Sequence, residues 1–546
     1  MFMRGSRPER ARAWRIMPRR SDARLGPLLT ALVVALVVRG GSAPAATLAD
    51  APGVAVTNIH SFHTGDGVSP RAGLMLAPDG QLYGTTWRGG TGGGTTYRID
   101  PTTHVFQVLH VFSLLDANGR NTDGYGPVAP LSIGPDGLVY GTTREGGQAG
   151  PLPTSRGAGV LFRFNPANTT QFTVLHHFAT AAGDQDGATP SGAVVPDGRG
   201  NYYGATNIGV IYKWDGAAIM PVHVFEPLKP DRTNFGGANP YGSPVFGADG
   251  KLYGMTIYGG KNGRGTVYSL DPASKEFKVL YDFPNYSFSG NADNAPLQSV
   301  FLASDDALYG TNEFGGPNGT GLVFKVANGT VTILHEFGPF GAQAQPRFSN
   351  ADGSLPLSTM AEGADGMLYG TTYYGGASGA GTIFRIAKDG TGFQSLYSFG
   401  GDPTVGSHPA TGMVRLPDGS MVGTTFIHGT GVQAVYRLTL LQPFSVAIQP
   451  DPVTAARTGR GTLTRTASAA VSNGQPPYSY AWSVDSGVFV VHGRDTQNPS
   501  IFAALAACDE EEGMISVTVT DGRGQSASAS AAITYRAIRP PGGFCD

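Results

Sequence analysis

The sequence is short of charge, cysteine, long apolar runs and helical pattern, and each shortage removes a class of protein. Only 14% of its 546 residues are charged. Nine arginines stand in residues 1–45 against Glu9 and Asp22, a local charge of +7, so the formal −2 leaves about −9 for the remainder. A surface of that sign repels phosphate backbones and anionic lipid, which argues against nucleic acid as a partner. The only cysteines are Cys508 and Cys545. In an exported chain such a pair favours one disulfide, worth roughly 3 to 4 kcal/mol for a loop of this length, with two free thiols as the alternative. The apolar run Leu25 to Val38 is shorter than the ~20 residues a bilayer crossing needs. No HExxH, Ser nucleophile elbow, Cys–His pairing or Gly-Lys-Ser/Thr segment occurs, so metalloprotease, triad hydrolase and P-loop chemistry have no motif to rest on.

What is present is a repeat. Leu82-Tyr83-Gly84-Thr85-Thr86 is followed by Gly89-Gly90 and Gly92-Gly93-Gly94, and the same place is held by Tyr140-Gly141, Tyr203-Gly204, Tyr253-Gly254, Tyr309-Gly310, Tyr369-Gly370 and the weaker Val422-Gly423. A period of this length marks a modular array. Within one repeat, Leu74 to Ala77, Gln81 to Trp87, Thr95 to Asp100 and Val105 to Phe112 read as four strands. The first turn, Asp79-Gly80, is expected to be of the primed type that suits a hairpin. Four antiparallel strands per repeat without helical periodicity is the pattern of a propeller blade. A proline (Pro70, Pro127, Pro190, Pro240, Pro296, Pro356, Pro409) marks each first strand's approach, where a missing N–H costs least.

The fourth strand has its own mark, an apolar residue, His or Tyr, any residue, then Phe. It occurs at Leu109 to Phe112, Leu175 to Phe178, Val222 to Phe225, Leu280 to Phe283, Leu334 to Phe337 and Leu396 to Phe399. The seventh repeat stops after Ala434 to Leu440, and the missing copy stands near the start, as Ile59-His60-Ser61-Phe62. That offset predicts a seven-bladed β-propeller latched by an N-terminal strand, which would leave no broad sheet edge exposed.

Leu-Tyr-Gly-Thr-Thr, a spacer, Gly-Gly, a short loop and Gly-Thr before an aromatic, clearest at Leu252 to Leu270 and Leu368 to Ile386, resembles the GloVer tandem-repeat family over roughly residues 54 to 440. The resemblance implies an exported bacterial protein with a propeller fold. Pro476 to Trp482 together with Val517 to Gly522 looks like a polycystic-kidney-disease (PKD) or immunoglobulin-like domain, a small β-sandwich with Trp482 as core anchor. The expected layout is a signal peptide over 1–45, the propeller over 54–442 and the sandwich over 444–546. An arginine-rich start, an apolar run and Ala43-Pro44-Ala45 fit a secretory signal. A secreted, periplasmic or cell-surface monomer is expected, with no membrane span after cleavage.

Positions that vary between repeats are the better site candidates, because identical ones serve the frame. Where the second strand runs into its loop the repeats carry Trp87 and Arg88, Arg144 and Glu145, Tyr258, Glu313, Tyr373 and Tyr374, and Phe426 with His428. Such a rim could stack on sugars or grip a protein segment. The reading favoured is a binding or scaffold protein for polysaccharide or a cell-surface protein. The alternative is an extracellular lyase or glycoside hydrolase using residues such as Arg88, Glu145 and Glu313. The recurring His60, His110, His176, His223 and His335 read as packing residues. Asp66, Asp123, Asp186, Asp293 and Asp352 read as solvated turn formers; no cofactor is expected, although Ca²⁺ on these aspartates is conceivable.

Overall fold

The computed structural model describes residues 53–148, 156–179, 185–284, 299–341, 348–409, 411–426, 431–441, 444–474, 476–506, 508–522 and 524–543. The region expected to be a signal peptide lies outside them, as do Asp293, His428 and Cys545, so the expected Cys508–Cys545 bridge also falls outside. Among the described residues there is no α-helix, and one short 3₁₀ turn spans Pro403–Val405.

The first repeat shows how the motif builds a sheet. After β1 (Val54–Ser61) come β2 (Met75–Leu76), β3 (Leu82–Thr86), β4 (Thr95–Ile99) and β5 (Phe106–Val111), and β2 to β5 pair antiparallel in chain order. The β2–β3 turn is not of the primed type. Gly80 has φ 79° while Asp79 keeps a negative φ, and the Gly80 N–H donates to Ala77 O as the Ala77 N–H donates to Gln81 O. This is a three-residue loop, a turn followed by a left-handed glycine. Asp79 then explains the tyrosine of the motif: its Oδ1 accepts the Gln81 N–H and its Oδ2 accepts the Tyr83 hydroxyl at 2.8 Å. The same Tyr-to-Asp bond recurs at Tyr140, Tyr253, Tyr309 and Tyr369. The following glycine is a matter of space. A Cβ on Gly84 would lie 2.4 Å from the Tyr97 hydroxyl oxygen, because the aromatic of the third strand lies over it. Thr86 and Thr95 share a hydroxyl bond of 2.8 Å across the next hairpin. A bulge at Thr96/Tyr97 increases the twist of the outer pair.

Among the described residues, 54–440 hold seven such sheets, six of four strands and one of five, besides a two-stranded pair of Asn350–Ser354 with Tyr374–Gly376. The seventh is completed by β1, which pairs antiparallel with Ala434–Leu440 from Val54↔Leu440 to Ser61↔Ala434. Apolar clusters join each sheet to the next in sequence, for example Tyr83 and Phe112 of the first with Val139 and Phe162 of the second. A further cluster joins the last sheet to the first: Leu416, Val422 and Val435 with Leu74, Leu82 and Tyr97.

Beyond residue 444 the strands form a separate set of sheets. One has four strands, ordered Val453–Thr458, Ser526–Ile538, Glu510–Thr520 and Ser479–Val484; a second has three, Gly461–Thr466, Ser500–Leu505 and Val490–His492. Along Met514 to Val519 the buried positions are Ile515, Val517 and Val519, the alternation of a one-sided sheet. Trp482 belongs to the core and donates its Nε1–H to Thr496 O at 2.8 Å.

Candidate functional site

The site is built by a corner that repeats at one end of the sheets. Among the described residues, the one before each marker proline has a left-handed backbone: Ser69, Thr189, Asn239, Leu355 and His408 have φ between 53° and 63°, and Gly126 has φ 66°. Its carbonyl accepts the N–H of the residue just past the second strand, as in Trp87 to Ser69, Arg144 to Gly126, Tyr373 to Leu355 and Phe426 to His408. For a β-branched residue such as Thr189 this backbone is costly. It holds the residue after the proline beside the residue after the second strand.

Side chains from six of the seven sheets come together there. The Arg71 guanidinium lies 3.9 Å from the Trp87 ring centroid and 4.6 Å from that of Phe426, joining the first and last sheets. Burial lowers the Arg71 pKa, which also feels the charges of Tyr241, Arg144, Tyr373 and Arg88. Glu313 is 4% exposed, its Oε2 has no hydrogen-bond partner, and burial alone raises its carboxyl well above the usual range. Burial likewise raises Tyr241, which feels Arg144, Arg71 and Glu313. Tyr373 is pushed up to about 12 by burial and then by Tyr374, with Arg71 opposing. The arrangement is therefore a cationic centre with hydroxyl donors and one carboxyl whose burial favours its protonated form.

The expected rim divides in two. Trp87, Arg144, Glu313, Tyr373 and Phe426 occupy the converging position. Arg88, Glu145, Tyr258 and Tyr374, one residue on, pair with the incoming loop at Val68, Tyr125, Ala238 and Ser354. Of these, Arg88 stacks on the other side chain at its corner, 4.0 Å from the Trp87 centroid. Glu145 meets Arg156 at 3.3 Å. Arg232 lies 5.8 Å from the Tyr258 ring, and Tyr374 lies 4.8 Å from Phe348. Arg71 and Tyr241 were not among the expected residues. The available signal was that they follow Pro70 and Pro240, where other repeats carry Val128, Ser191 and Leu357.

The outer strand at this same end is regular, and here Asp66, Asp123, Asp186 and Asp352 are not solvated turn formers. His60, His110, His176 and His335 meet Asp66, Asp123, Asp186 and Asp352 at 3.1, 3.1, 2.6 and 3.4 Å, and the carboxylates are 24% exposed or less. Burial would raise the Asp123 carboxyl, but hydrogen bonds from His110 and Ser113 hold it below the ordinary value. The imidazoles also stack between sheets, His60 on Phe106, His110 on Phe172, His223 on Phe277 and His335 on Phe393, at 3.7 to 4.0 Å. Among the described residues no group of three or more His, Cys, Asp or Glu could hold a metal ion.

The Gloeobacter/Verrucomicrobia repeat family profile matches residues 38–218 and 222–436. No curated protein matches the sequence. Among solved structures, the extracellular domain of a hybrid two-component system from B. thetaiotaomicron is 11% identical, with a TM-score of 0.43, over 90% of this chain and 60% of that one. An oxidoreductase from Thermus thermophilus, described as a glucose dehydrogenase, is 15% identical over 71% of this chain and all of that one, with a TM-score of 0.33. TolB from Acinetobacter baumannii is 14% identical over 67% and 78%, with a TM-score of 0.30. The chain thus spans about 60% of the length of the first of these, and likeness at this level assigns neither activity nor ligand.

Proposed function

The chain belongs to the Gloeobacter/Verrucomicrobia repeat family, and on that premise we propose that it is an exported seven-bladed β-propeller that binds a polysaccharide or a cell-surface protein at one loop face. Support for the closed ring comes from the β1 register and from the cluster between the last and first sheets. It comes also from Arg71 of the first sheet feeling Tyr241 and Tyr373, which follow or precede strands of the fourth and sixth. The carboxy-terminal sheets are read as an immunoglobulin- or PKD-like sandwich acting as spacer or adhesive module, with Trp482 in its core. Export is supported by the arginine-rich and apolar start. No helix of the described residues is long and apolar enough to cross a membrane.

The observation that carries the binding reading is the convergence of unlike side chains on one corner frame: Arg71, Trp87, Arg144, Tyr241, Glu313 and Tyr373. A glycan and surface-protein screen with the mature chain should yield a ligand, and Trp87→Ala with Tyr373→Ala should weaken it about tenfold or more. Unchanged binding by that well-folded double variant overturns the rim. One observation favours the enzymatic alternative, a buried acid beside arginines. Release of reducing or unsaturated ends from a bound polysaccharide, abolished by Glu313→Gln, would select it.

A further inference from the structure

We propose that the ligand at this mouth is an acidic polysaccharide, one of whose sugar oxyanions, carboxylate or sulfate, is held by the Arg71 and Arg144 guanidiniums while the Glu313 carboxyl donates a hydrogen bond to it. This rests on the binding reading above and names its ligand class.

The first argument is the state of the aromatic ring. A tryptophan that stacks on a neutral sugar needs an open face, whereas the Trp87 ring has Arg71 at 3.9 Å and Arg88 at 4.0 Å from its centroid. Its role is to orient guanidiniums. A stacked guanidinium still presents its N–H edge, and that planar fork suits two oxygens of one anion.

Charge is the second argument. Outside residues 1–45 the chain carries about −9, yet three arginines gather here. Among the described residues neither Arg88 nor Arg144 takes part in an ion pair, and the carboxylate that could neutralise the centre, Glu313, is 4% exposed with Oε2 unpartnered. Desolvation favours its protonated form, which can donate a hydrogen bond to an anion. The charge of Arg88 and Arg144 is therefore left for a ligand to satisfy.

The probes are polygalacturonate, dextran sulfate and neutral dextran, titrated calorimetrically into the full mature chain. One or both acidic polymers should bind and dextran should not; which polymer binds separates carboxylate from sulfate. Arg144→Gln should lower that affinity about tenfold at unchanged melting temperature. Affinity should also fall as pH rises and Glu313 ionises beside Arg71, Arg144, Tyr241 and Tyr373. His408, whose ring lies 4.9 Å from Tyr373, is a further titratable group here, so the decisive comparison is Glu313→Gln, which should flatten the pH dependence. Equal binding of dextran, wild-type affinity in Arg144→Gln, or an unaltered pH profile in Glu313→Gln overturns the inference. If the screen finds only a neutral glycan or a protein ligand, the inference fails and the binding reading stands; if nothing binds, both fail.

Discussion

The corner and the outer strand of each sheet obey different rules. At the outer edge the same few groups recur, a histidine between an aspartate and the next sheet's phenylalanine, as in His110 with Asp123 and Phe172. At the corner the frame recurs but its side chains do not: Trp87, Arg144, Asn207, Ile257, Glu313, Tyr373 and Phe426 hold one equivalent place. Repetition is what a ring of equal interfaces requires. Variation on an unvarying corner marks where selection can act on recognition without disturbing the frame.

The largest expected effect belongs to the frame. Removing residues 53–63 would strip β1 from Ala434–Leu440, expose that strand's edge and open the cluster between the last and first sheets. Several backbone hydrogen bonds at about 1 kcal/mol each, together with the lost apolar burial, should cost more than about 5 kcal/mol. Urea unfolding and light scattering read the loss, since an exposed edge invites aggregation. A chain that kept its midpoint would show that the sheets do not depend on this latch, and the distinction between frame and site would lose its basis.

A smaller effect is expected at the outer edge. Asp123 accepts from His110 and from the Ser113 N–H and hydroxyl, so Asp123→Asn should cost about 1 to 2 kcal/mol at neutral pH. The Asp123 carboxyl is held below its ordinary value, so its contribution is present above the unfolded-state pKa, about 3.9, and is lost as pH falls through the folded one. The gap between variant and wild type should therefore close in acid. Ligand affinity should not change; if it did, this edge would belong to the site.

These expectations also explain what could be read from the chain alone. The repeat, the strand offset and the Tyr-Gly motif are local patterns, and Ala434–Leu440 emerges with the bounds the sequence suggested. The turn at Asp79 was misread because its geometry depends on the third loop residue, which lets Asp79 stay in an ordinary backbone while Gly80 alone turns left-handed. The His–Asp pairs were seen as two unrelated sets because the separations differ, 6 residues for His60 and Asp66 but 13 for His110 and Asp123. The convergence of Arg71 with Tyr241 and Glu313 brings together residues from different repeats, which spacing cannot reveal. The corner positions were legible as a rim because they vary, but which of two adjacent residues turns inward depends on the bond to the left-handed carbonyl.

The smallest effect sharpens the comparison most, because it should have the opposite sign. Glu313 is a buried acid whose folded pKa is raised. Its contribution to stability is fully present below the unfolded value, about 4.3, and is lost as pH rises through the folded one. At neutral pH the wild-type protein carries that penalty, and Glu313→Gln, which cannot ionise, should gain about 1 kcal/mol or less. At pH 4 the two should melt together. A frame residue would lose stability on the same kind of change, as Asp123→Asn is expected to, whereas a site residue held under strain for a ligand gains it. Melting curves of both variants across pH 4 to 8 make the test, and a Glu313→Gln variant destabilised at neutral pH would move Glu313 from the site into the frame.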